Sequence, residues 1–206
     1  MSLWDLTLKG GPVMIPIAIC SIIAFYIIIE RFIAIRKINP DPSSFMNTIK
    51  EYLKSNNLEG AKALCSSTVT SIARIIGKGL TKFGKPAGDI EKTMENTASV
   101  EIASMERGLS ALATCASAAP MLGILGTVTG LVRAFYDMKT EYDRTHANID
   151  IGVLSQGMYE AMITTVAGLI IGIIALICYN ILSAMIKKAA HNLEVHSNEF
   201  IDIIHS

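Results

Sequence analysis

Three apolar stretches, separated by charged segments, dominate the pattern of hydrophobic and polar positions along this chain of 206 residues. The stretches at 11–29, 110–132 and 161–186 contain no Asp, Glu, Lys or Arg. At a rise of about 1.5 Å per residue, roughly 20 residues of α-helix cross a hydrocarbon core that is about 30 Å thick. The pattern therefore predicts three transmembrane helices, at about 11–30, 110–134 and 161–186.

The segments outside these spans show the periodicity of helices and no strand-like alternation. Apolar residues recur at spacings of three and four over 43–55, and two further short helices are predicted at 58–65 and 69–83. Asp89 can cap a helix, and no helix breaker follows it before Pro120. The second span is therefore predicted to be part of one long, uninterrupted helix.

A similar long helix is predicted for the third span, because Asp150 can cap it and nothing breaks it before about residue 200. The predicted fold class is an all-α membrane protein, with a single domain over 1–206 and three transmembrane helices. The second and third of these continue as long helices into the cytoplasm. The remainder is a small helical cytoplasmic region at 31–109 and a C-terminal cytoplasmic helix at 187–206.

The composition agrees with a membrane protein and argues against nucleic acid as a partner. Charged residues make up 17% of the chain and the mean hydropathy is +0.44, whereas soluble domains average about 25% charged residues. The formal net charge is zero, so no bulk charge attracts nucleic acid. Lys and Arg are more frequent after the first and third spans than on the opposite side, which predicts a periplasmic N-terminus and a cytoplasmic C-terminus.

No pattern in the sequence indicates an enzyme, a metal site or a cofactor. The four cysteines form no C-x-x-C pair and are expected to be small buried hydrophobic residues. His191 and His196 are five positions apart, a spacing that does not place both on one helical face, so no metal site is expected there. Walker, G-x-S-x-G, H-E-x-x-H and kinase motifs are absent.

Small residues share one face of the second span and one face of the third. At about 100° per residue, Gly123, Gly126 and Gly130 lie in one sector of the second span, and Gly168 and Gly172 lie in one sector of the third. Glycines at this spacing let two helix backbones approach closely, so these five residues are predicted to set the helix packing. The larger apolar side chains on the opposite faces are predicted to contact lipid.

Polar residues on the same faces predict an ion pathway through the membrane. Thr127 and Thr165 carry hydroxyls into the apolar layer, although a membrane threonine can instead bond a carbonyl of its own helix. Glu160 lies at the edge of the third-span face, where a carboxylate is costly unless water reaches it. It is either beside a hydrated cavity or a plain interfacial charge. Thr127, Thr165 and Glu160 form the predicted ion pathway.

Motifs in these regions resemble those of the ExbB/TolQ/MotA family of proton-channel proteins. The strings at 119–128 (APMLGILGTV) and 160–168 (EAMITTVAG), followed by Tyr179-Asn180, resemble the second-span and third-span motifs of the family. The opening at 9–12 (KGGP) and the Glu30-Arg31 pair that closes the first span are similar to ExbB. The resemblance extends over essentially the whole chain, and the ExbB/TolQ branch fits better than MotA, whose members are typically longer and have four spans.

The resemblance implies a subunit of an ion-driven motor in the bacterial inner membrane. ExbB-like proteins form homopentamers around a dimer of an ExbD-like one-span protein, whose Asp carries the proton, and the complex energises a TonB-like protein. Thr127 and Thr165 correspond to the pore hydroxyls of the family, and Glu160 to its acidic residue at the pore. The transported ion would then be H+, although hydroxyls alone would serve sodium equally. A TolQ-like subunit, a flagellar-stator-like subunit and a passive membrane scaffold remain alternatives.

Overall fold

The computed structural model describes residues 11–38, 43–145 and 151–205, and the regular secondary structure in these ranges consists of helices joined by short turns. The absence of strands from these ranges and the three apolar segments given below confirm the prediction of an all-α membrane protein. The helices are α1 (Met14–Ile38), α2 (Ser43–Lys54), α3 (Leu58–Ser67), α4 (Ser71–Leu80), α5 (Ala87–Glu106), α6 (Leu109–Thr145) and α7 (Ile151–His205).

The helix bounds agree with the sequence predictions except at the start of α5 and between α5 and α6. Asp89, the predicted cap, lies in the first turn of α5, which begins at Ala87 with Pro86 at the N-cap. The short helices α2, α3 and α4 lie where the periodicity predicts them, and α7 is one long helix, although its predicted cap, Asp150, lies outside the described residues. The uninterrupted helix predicted from Asp89 through the second span is wrong, because Arg107 and Gly108 separate α5 from α6. Gly108 has φ +81°, which glycine adopts without steric penalty, and a glycine after a basic residue commonly ends a helix.

Three segments among the described residues are long and apolar enough to cross a membrane: Met14–Arg36, Ala87–Arg144, which includes the turn at Arg107 and Gly108, and Leu154–Ile204. They overlap the three predicted spans. The chain divides into two compact units, which we call the membrane unit (residues 1–28 and 109–180) and the charged unit (residues 29–108 and 181–206). Both α1 and α7 pass from one unit into the other, and the single domain over 1–206 stays a prediction.

The charged unit is built from amphipathic helices that bury one apolar stripe each. Helix α4 is the clearest case, since Arg74 is exposed while four large apolar residues around it are buried: Ile72, Ile75, Ile76 and Leu80. The ring of Phe200 on α7 is fully buried. Its Cε1 would lie only 3.2 Å from a Cβ on Gly79, so the absence of a side chain at Gly79 makes room for the ring.

Ion pairs and hydrogen bonds add polar contacts between the helices of the charged unit. The carboxylate of Glu101 on α5 accepts a hydrogen bond from Ser71 Oγ on α4 at 2.9 Å. Glu199 on α7 pairs with Lys50 on α2, and His196 Nδ1 lies 3.0 Å from its second oxygen. The bonds from Lys50, and then from His196, hold the pKa of the Glu199 carboxyl below its ordinary value. These bonds therefore stabilise the unit above the ordinary carboxyl pKa, and the contribution is lost as the pH falls through the lowered value.

Cys65 on α3 is buried against Gly77 of α4, on which a Cβ would lie 3.2 Å from the Cβ of Cys65. Burial raises the pKa of the Cys65 thiol from 9.0 to about 11. Because the thiolate is the reactive form, this rise lowers the reactive fraction near neutral pH about 100-fold. In a variant with the other three cysteines replaced by alanine, we expect Cys65 to react with a maleimide about 100-fold more slowly than an unperturbed thiol.

The matched control moves the single cysteine to the exposed neighbouring position, as Ser66→Cys together with Cys65→Ala. It is expected to react at the ordinary rate, and the rate of the Cys65 variant should keep rising with pH towards about 11. Modification is followed by mass spectrometry of the intact chain. Equal rates for the two variants at neutral pH would contradict a buried, protonated thiol.

Candidate ion-pathway site

Helices α6 and α7 pack antiparallel in the membrane unit, along the small-residue faces predicted for them. Gly123 of α6 faces Thr165 of α7, and further along α6 Ala134 faces Gly157, so residue numbers rise along one helix as they fall along the other. The opposite faces expose the apolar side chains predicted to contact lipid. On α6 these are Met121, Ile124, Leu125, Val128 and Val132, and on α7 they are Val166, Leu169, Ile170, Ile173, Ile174 and Ile177.

The two predicted packing glycines of α7 lie directly against the backbone of α6. A Cβ on Gly168 would stand 2.5 Å from the carbonyl oxygen of Ala119. A Cβ on Gly172 would overlap the ring of Pro120 and stand 3.1 Å from the carbonyl oxygen of Ala116. Pro120 has no N–H to donate to that carbonyl, so Gly172 lies where α6 lacks one backbone hydrogen bond. A side chain at either glycine would force the helices apart.

The three predicted packing glycines of α6 lie at the same contact. A Cβ on Gly123 would stand 3.1 Å from the carbonyl oxygen of Thr164, and one on Gly126 would overlap the Thr164 side chain. A Cβ on Gly130 would stand 2.9 Å from the Cβ of Ala161. The five glycines therefore bring the two backbones together over several helical turns.

A sixth glycine at this contact, Gly157, is not among the sequence predictions. A Cβ on Gly157 would overlap the Cβ of Ala134. A signal for it exists in the sequence, since Gly157, Ala161 and Thr165 continue the four-residue spacing of small residues along α7. The predicted span begins at 161, and this limit excluded Gly157.

Thr127 and Thr165 meet between the two helices. Their hydroxyl groups are hydrogen-bonded to each other, and Thr165 Oγ1 also lies 3.1 Å from the carbonyl oxygen of Gly123. Thr127 Oγ1 lies 3.3 Å from the Gly123 carbonyl of its own helix and 3.3 Å from the Ala161 carbonyl of α7. Each hydroxyl has one proton to donate, so these acceptors are alternatives. Both threonines thus bond across the helix contact, and Thr127 also has an acceptor within its own helix.

Glu160 lies apart from this hydroxyl pair, on a cavity of about 460 Å³ in the membrane unit. Its Oε1 would lie 2.7 Å from a Cβ on Gly11, which comes just before α1. Neither Thr127 nor Thr165 lines the cavity. The three residues predicted to form one ion pathway therefore occupy two places, a hydroxyl pair inside the helix contact and a carboxylate on a cavity.

Five polar residues of the cavity are not among the predicted site residues: Arg133, Asp137 and Thr129 on α6, and Gln156 and Thr164 on α7. Arg133 Nε lies 4.0 Å from Asp137 Oδ2, and both side chains are exposed. The sequence carries a signal for the first two, because they continue the stripe of Gly126 and Gly130 at helical spacing. The prediction stopped at the end of the apolar stretch, whereas α6 continues beyond it.

The carbonyl oxygen of Ala161 lies between the cavity and the hydroxyl pair. It accepts a hydrogen bond from Thr164 Oγ1, which lines the cavity, at 2.7 Å, and it is an acceptor for Thr127 Oγ1 at 3.3 Å. A carbonyl has no proton to pass on, so this contact is not a proton relay. Glu160 can bind and release a proton, whereas the hydroxyls can only stabilise an ion or an acid brought to them.

Within the described residues, no group of three or more His, Cys, Asp and Glu side chains could hold a metal ion. The cysteines of the chain are free thiols. Cys20 on α1 and Cys115 on α6 lie close enough to interact, which places α1 near α6 in the membrane unit. The described part of the site therefore offers hydroxyl, carboxylate, amide and guanidinium groups.

The region that contains this arrangement matches a known protein family. The profile of the MotA/TolQ/ExbB proton channel family matches residues 67–195, which is more than half of the chain. The chain belongs to this family. The matched region contains both packing faces, the Thr127–Thr165 pair and Glu160, and the predicted resemblance is confirmed. Family membership and the three apolar helical segments make this a multi-pass membrane protein.

Individual relatives carry the names of two branches of the family. An ExbB homologue of Methanothermobacter thermautotrophicus is 27% identical over 188 residues, which cover 91% of this chain and 65% of that protein. ExbB-like 1 of Synechocystis is 30% identical over 89% of this chain and 71% of its own length. TolQ of Pseudomonas aeruginosa is 26% identical over 99% of this chain and 93% of its own length. The chain thus spans about two thirds of the first relative and nearly all of TolQ.

The helix contact predicts that Gly168→Ala destabilises the membrane unit. The new Cβ would stand 2.5 Å from a backbone oxygen, which cannot move without shifting a helix, and overpacking of this kind costs about 1–3 kcal/mol. We expect a lower thermal unfolding midpoint in detergent, measured by circular dichroism at the helix band. Gly88→Ala is the matched control, because a Cβ on Gly88 would have nothing within 4 Å. Equal midpoints for the two variants would contradict the close backbone contact.

Proposed function

We propose that this protein is a subunit of a bacterial inner-membrane motor driven by the proton-motive force. In this proposal, copies of the chain form a homo-oligomeric ring, a pentamer, around a dimer of an ExbD-like one-span protein. The motor energises a TonB-like protein and, through it, transport across the outer membrane. The N-terminus is periplasmic and the C-terminus cytoplasmic.

The observation that carries the proposal is the Thr127–Thr165 pair between two membrane helices of a proton-channel family member. A hydroxyl both donates and accepts a hydrogen bond, so the pair can stabilise an acid in either its protonated or its ionised form. Threonine hydroxyls do not titrate near neutral pH, so the pair cannot carry the proton itself. Glu160 lies on the cavity away from the pair, so the acid that the pair stabilises must come from another chain, and a membrane Asp of a one-span protein has the required chemistry.

The mechanism then depends on the charge of that partner acid. A carboxylate in apolar surroundings has a raised pKa, so it can be loaded and unloaded with a proton near neutral pH. Loading makes the acid neutral and changes which ring subunit it prefers to face, since only the ionised form has a strong need for hydrogen-bond donors. Repeated loading from one side and release to the other would bias rotation of the partner inside the ring.

A TolQ-like role in a Tol system is the second candidate, because the relative named TolQ matches over 99% of this chain and 93% of its own length. The two roles share the ring and the ion pathway and differ in the protein that is energised. Co-purification of the chain from its own membranes with a TonB-type or a Tol-type protein would distinguish them. A neighbouring gene for a one-span protein with a membrane Asp would identify the partner.

We expect Thr165→Val to lower proton flux at least about tenfold in vesicles that contain the chain and its one-span partner. Valine keeps the shape of threonine but removes the hydroxyl, and a hydrogen bond between membrane helices contributes only about 0.6 kcal/mol on average, so assembly should persist. Flux is measured with a pH-sensitive dye after a proton gradient is imposed. The separate variant Thr165→Ser, which keeps a hydroxyl, should retain much of the proton flux of the natural chain.

The matched control is Thr114→Val on α6, because the Thr114 hydroxyl bonds only the Ser110 carbonyl of its own helix and lies at an exposed position. Its flux should equal that of the natural chain. Normal flux in Thr165→Val would disprove the role of the hydroxyl pair. A complex that assembles but conducts no protons even with natural sequences would support a passive scaffold instead.

For Glu160 we expect Glu160→Gln to lower proton flux without preventing assembly, since glutamine keeps the size of the side chain but cannot bind and release a proton. The control Glu91→Gln removes an exposed carboxylate of α5 in the charged unit. Both variants are compared in the same vesicle assay, with assembly followed by size-exclusion chromatography. If flux and assembly are unchanged in Glu160→Gln, the residue is a plain interfacial charge.

A further inference from the structure

We infer that the cavity beside Glu160 is a water-filled, cation-preferring access path inside a single chain, and that Arg133 sets the strength of that preference. The importance of this path for ion flux rests on the proposed function. Its existence and its charge selectivity do not, because they can be measured without any transport. The inference is carried by the depth of the cavity, its lining and the balance of charges on it.

The cavity extends far along the helices of the membrane unit. Its lining runs from Gly126 to Asp137 on α6, which at 1.5 Å per residue corresponds to about 16 Å. The part of that length inside the uncharged stretch, from Gly126 to position 132, is about 9 Å, which is about a third of a 30 Å hydrocarbon core. A volume of about 460 Å³ is enough for on the order of ten water molecules, at roughly 30 Å³ for each in the liquid.

The lining favours water over lipid or an empty space. Thr129, Arg133 and Asp137 line the cavity from α6, and Gln156 and Glu160 line it from α7. Apolar cavities stay dry, whereas a roomy cavity in which each water finds two or more polar partners is hydrated. Most of the remaining lining residues are glycines and alanines, whose small size leaves the space open.

The deep end of the cavity is closed by a buried hydroxyl. Thr164 is 1% exposed, and its Oγ1 donates to the carbonyl oxygen of Ala161 at 2.7 Å. Because this hydroxyl is committed to a carbonyl, it continues no chain of donors towards Thr127 and Thr165. The water path therefore ends at Glu160 and Thr164. An ion that enters it is delivered to the carboxylate of Glu160 and not directly to the hydroxyl pair.

The charges on the lining give the path its selectivity. Glu160 and Asp137 contribute two negative charges when ionised and Arg133 contributes one positive charge, so the formal sum is negative and favours cations. Arg133 is joined to Asp137 only at 4.0 Å, and its side chain is 71% exposed, so its charge stays available to the cavity. Removing Arg133 should strengthen the preference for cations, and removing Glu160 should weaken it.

Cysteine labelling in native membranes tests the water path. In full-length chains whose four natural cysteines are replaced by alanine, Thr129→Cys is compared with its neighbour Val128→Cys. Thr129 lines the cavity, whereas Val128 lies at the same depth on the face that is expected to contact lipid. With a membrane-impermeant cationic methanethiosulfonate reagent, which needs water to reach a thiol, we expect Thr129→Cys to react at least about tenfold faster than Val128→Cys.

The selectivity is tested by the ratio of labelling rates for cationic and anionic methanethiosulfonate reagents at Thr129→Cys. As a general order of magnitude, a unit charge at a separation of about 8 Å changes each rate about two- to sixfold for an effective dielectric constant between 80 and 40. The cation-to-anion ratio should therefore rise about five- to thirtyfold on adding Arg133→Gln and fall by a similar factor on adding Glu160→Gln. Lys139→Gln, on the exposed continuation of α6 and outside the lining, is the charge-matched control and should change the ratio much less.

The labelling rates test the water path and the role of Arg133 separately. Equally slow labelling of Thr129→Cys and Val128→Cys would overturn the water path. Fast labelling of Thr129→Cys with a ratio that does not respond to Arg133→Gln would overturn the role of Arg133. Labelling needs no partner and no proton gradient, so it tests the water path independently of transport. If Thr129→Cys is labelled fast but Glu160→Gln shows normal proton flux, the water path stands and only the role of Glu160 in the proposed function is disproved.

Discussion

The close approach of α6 and α7 is the constraint on which the rest of the membrane unit depends. Lipid tails are as apolar as these helices, so burying apolar surface gives little drive for the helices to associate, and packing and hydrogen bonds must supply it. Glycine makes both possible. A Cβ on Gly168 would stand 2.5 Å from the Ala119 carbonyl oxygen, and only at such short backbone separation can the hydroxyl of Thr165 reach the Gly123 carbonyl of the opposite helix. The Thr127–Thr165 pair is therefore a consequence of the glycine face.

The same contact divides the polar groups of the membrane unit into two sets with different chemistry. The hydroxyl pair lies inside the contact and can stabilise an acid without titrating. Glu160 lies on the cavity and carries a carboxyl group, and the Ala161 carbonyl between the two sets passes no proton. A member of a proton-channel family thus carries a carboxylate on a cavity and, apart from it, a hydroxyl pair that lacks an acid of its own. This division is the physical reason why the proposed motor needs a second chain.

Local patterns were sufficient to predict most of the helices, because periodicity and apolar length are properties of consecutive residues. The break at Gly108 carried a usable signal, a glycine after a basic residue, but it was outweighed by the absence of proline. Gly157, Arg133 and Asp137 were missed for a different reason. These three residues lie outside the uncharged stretches 110–132 and 161–186, whereas α6 and α7 carry the same faces several residues further, and Glu160 and its cavity lie in that region.

The all-α class, the three apolar segments, the two small-residue faces and the family could all be inferred from the order of residues alone, since each depends on composition, spacing or motif. Which residues of the two faces meet could not be inferred, because that depends on the axial register and rotation of two packed helices. Thr127 and Thr165 came together because Gly123 and Gly168 allow the backbones to touch. Glu160 is only five positions from Thr165, but five positions are about 140° around a helix. That rotation places it on a cavity away from the hydroxyl pair.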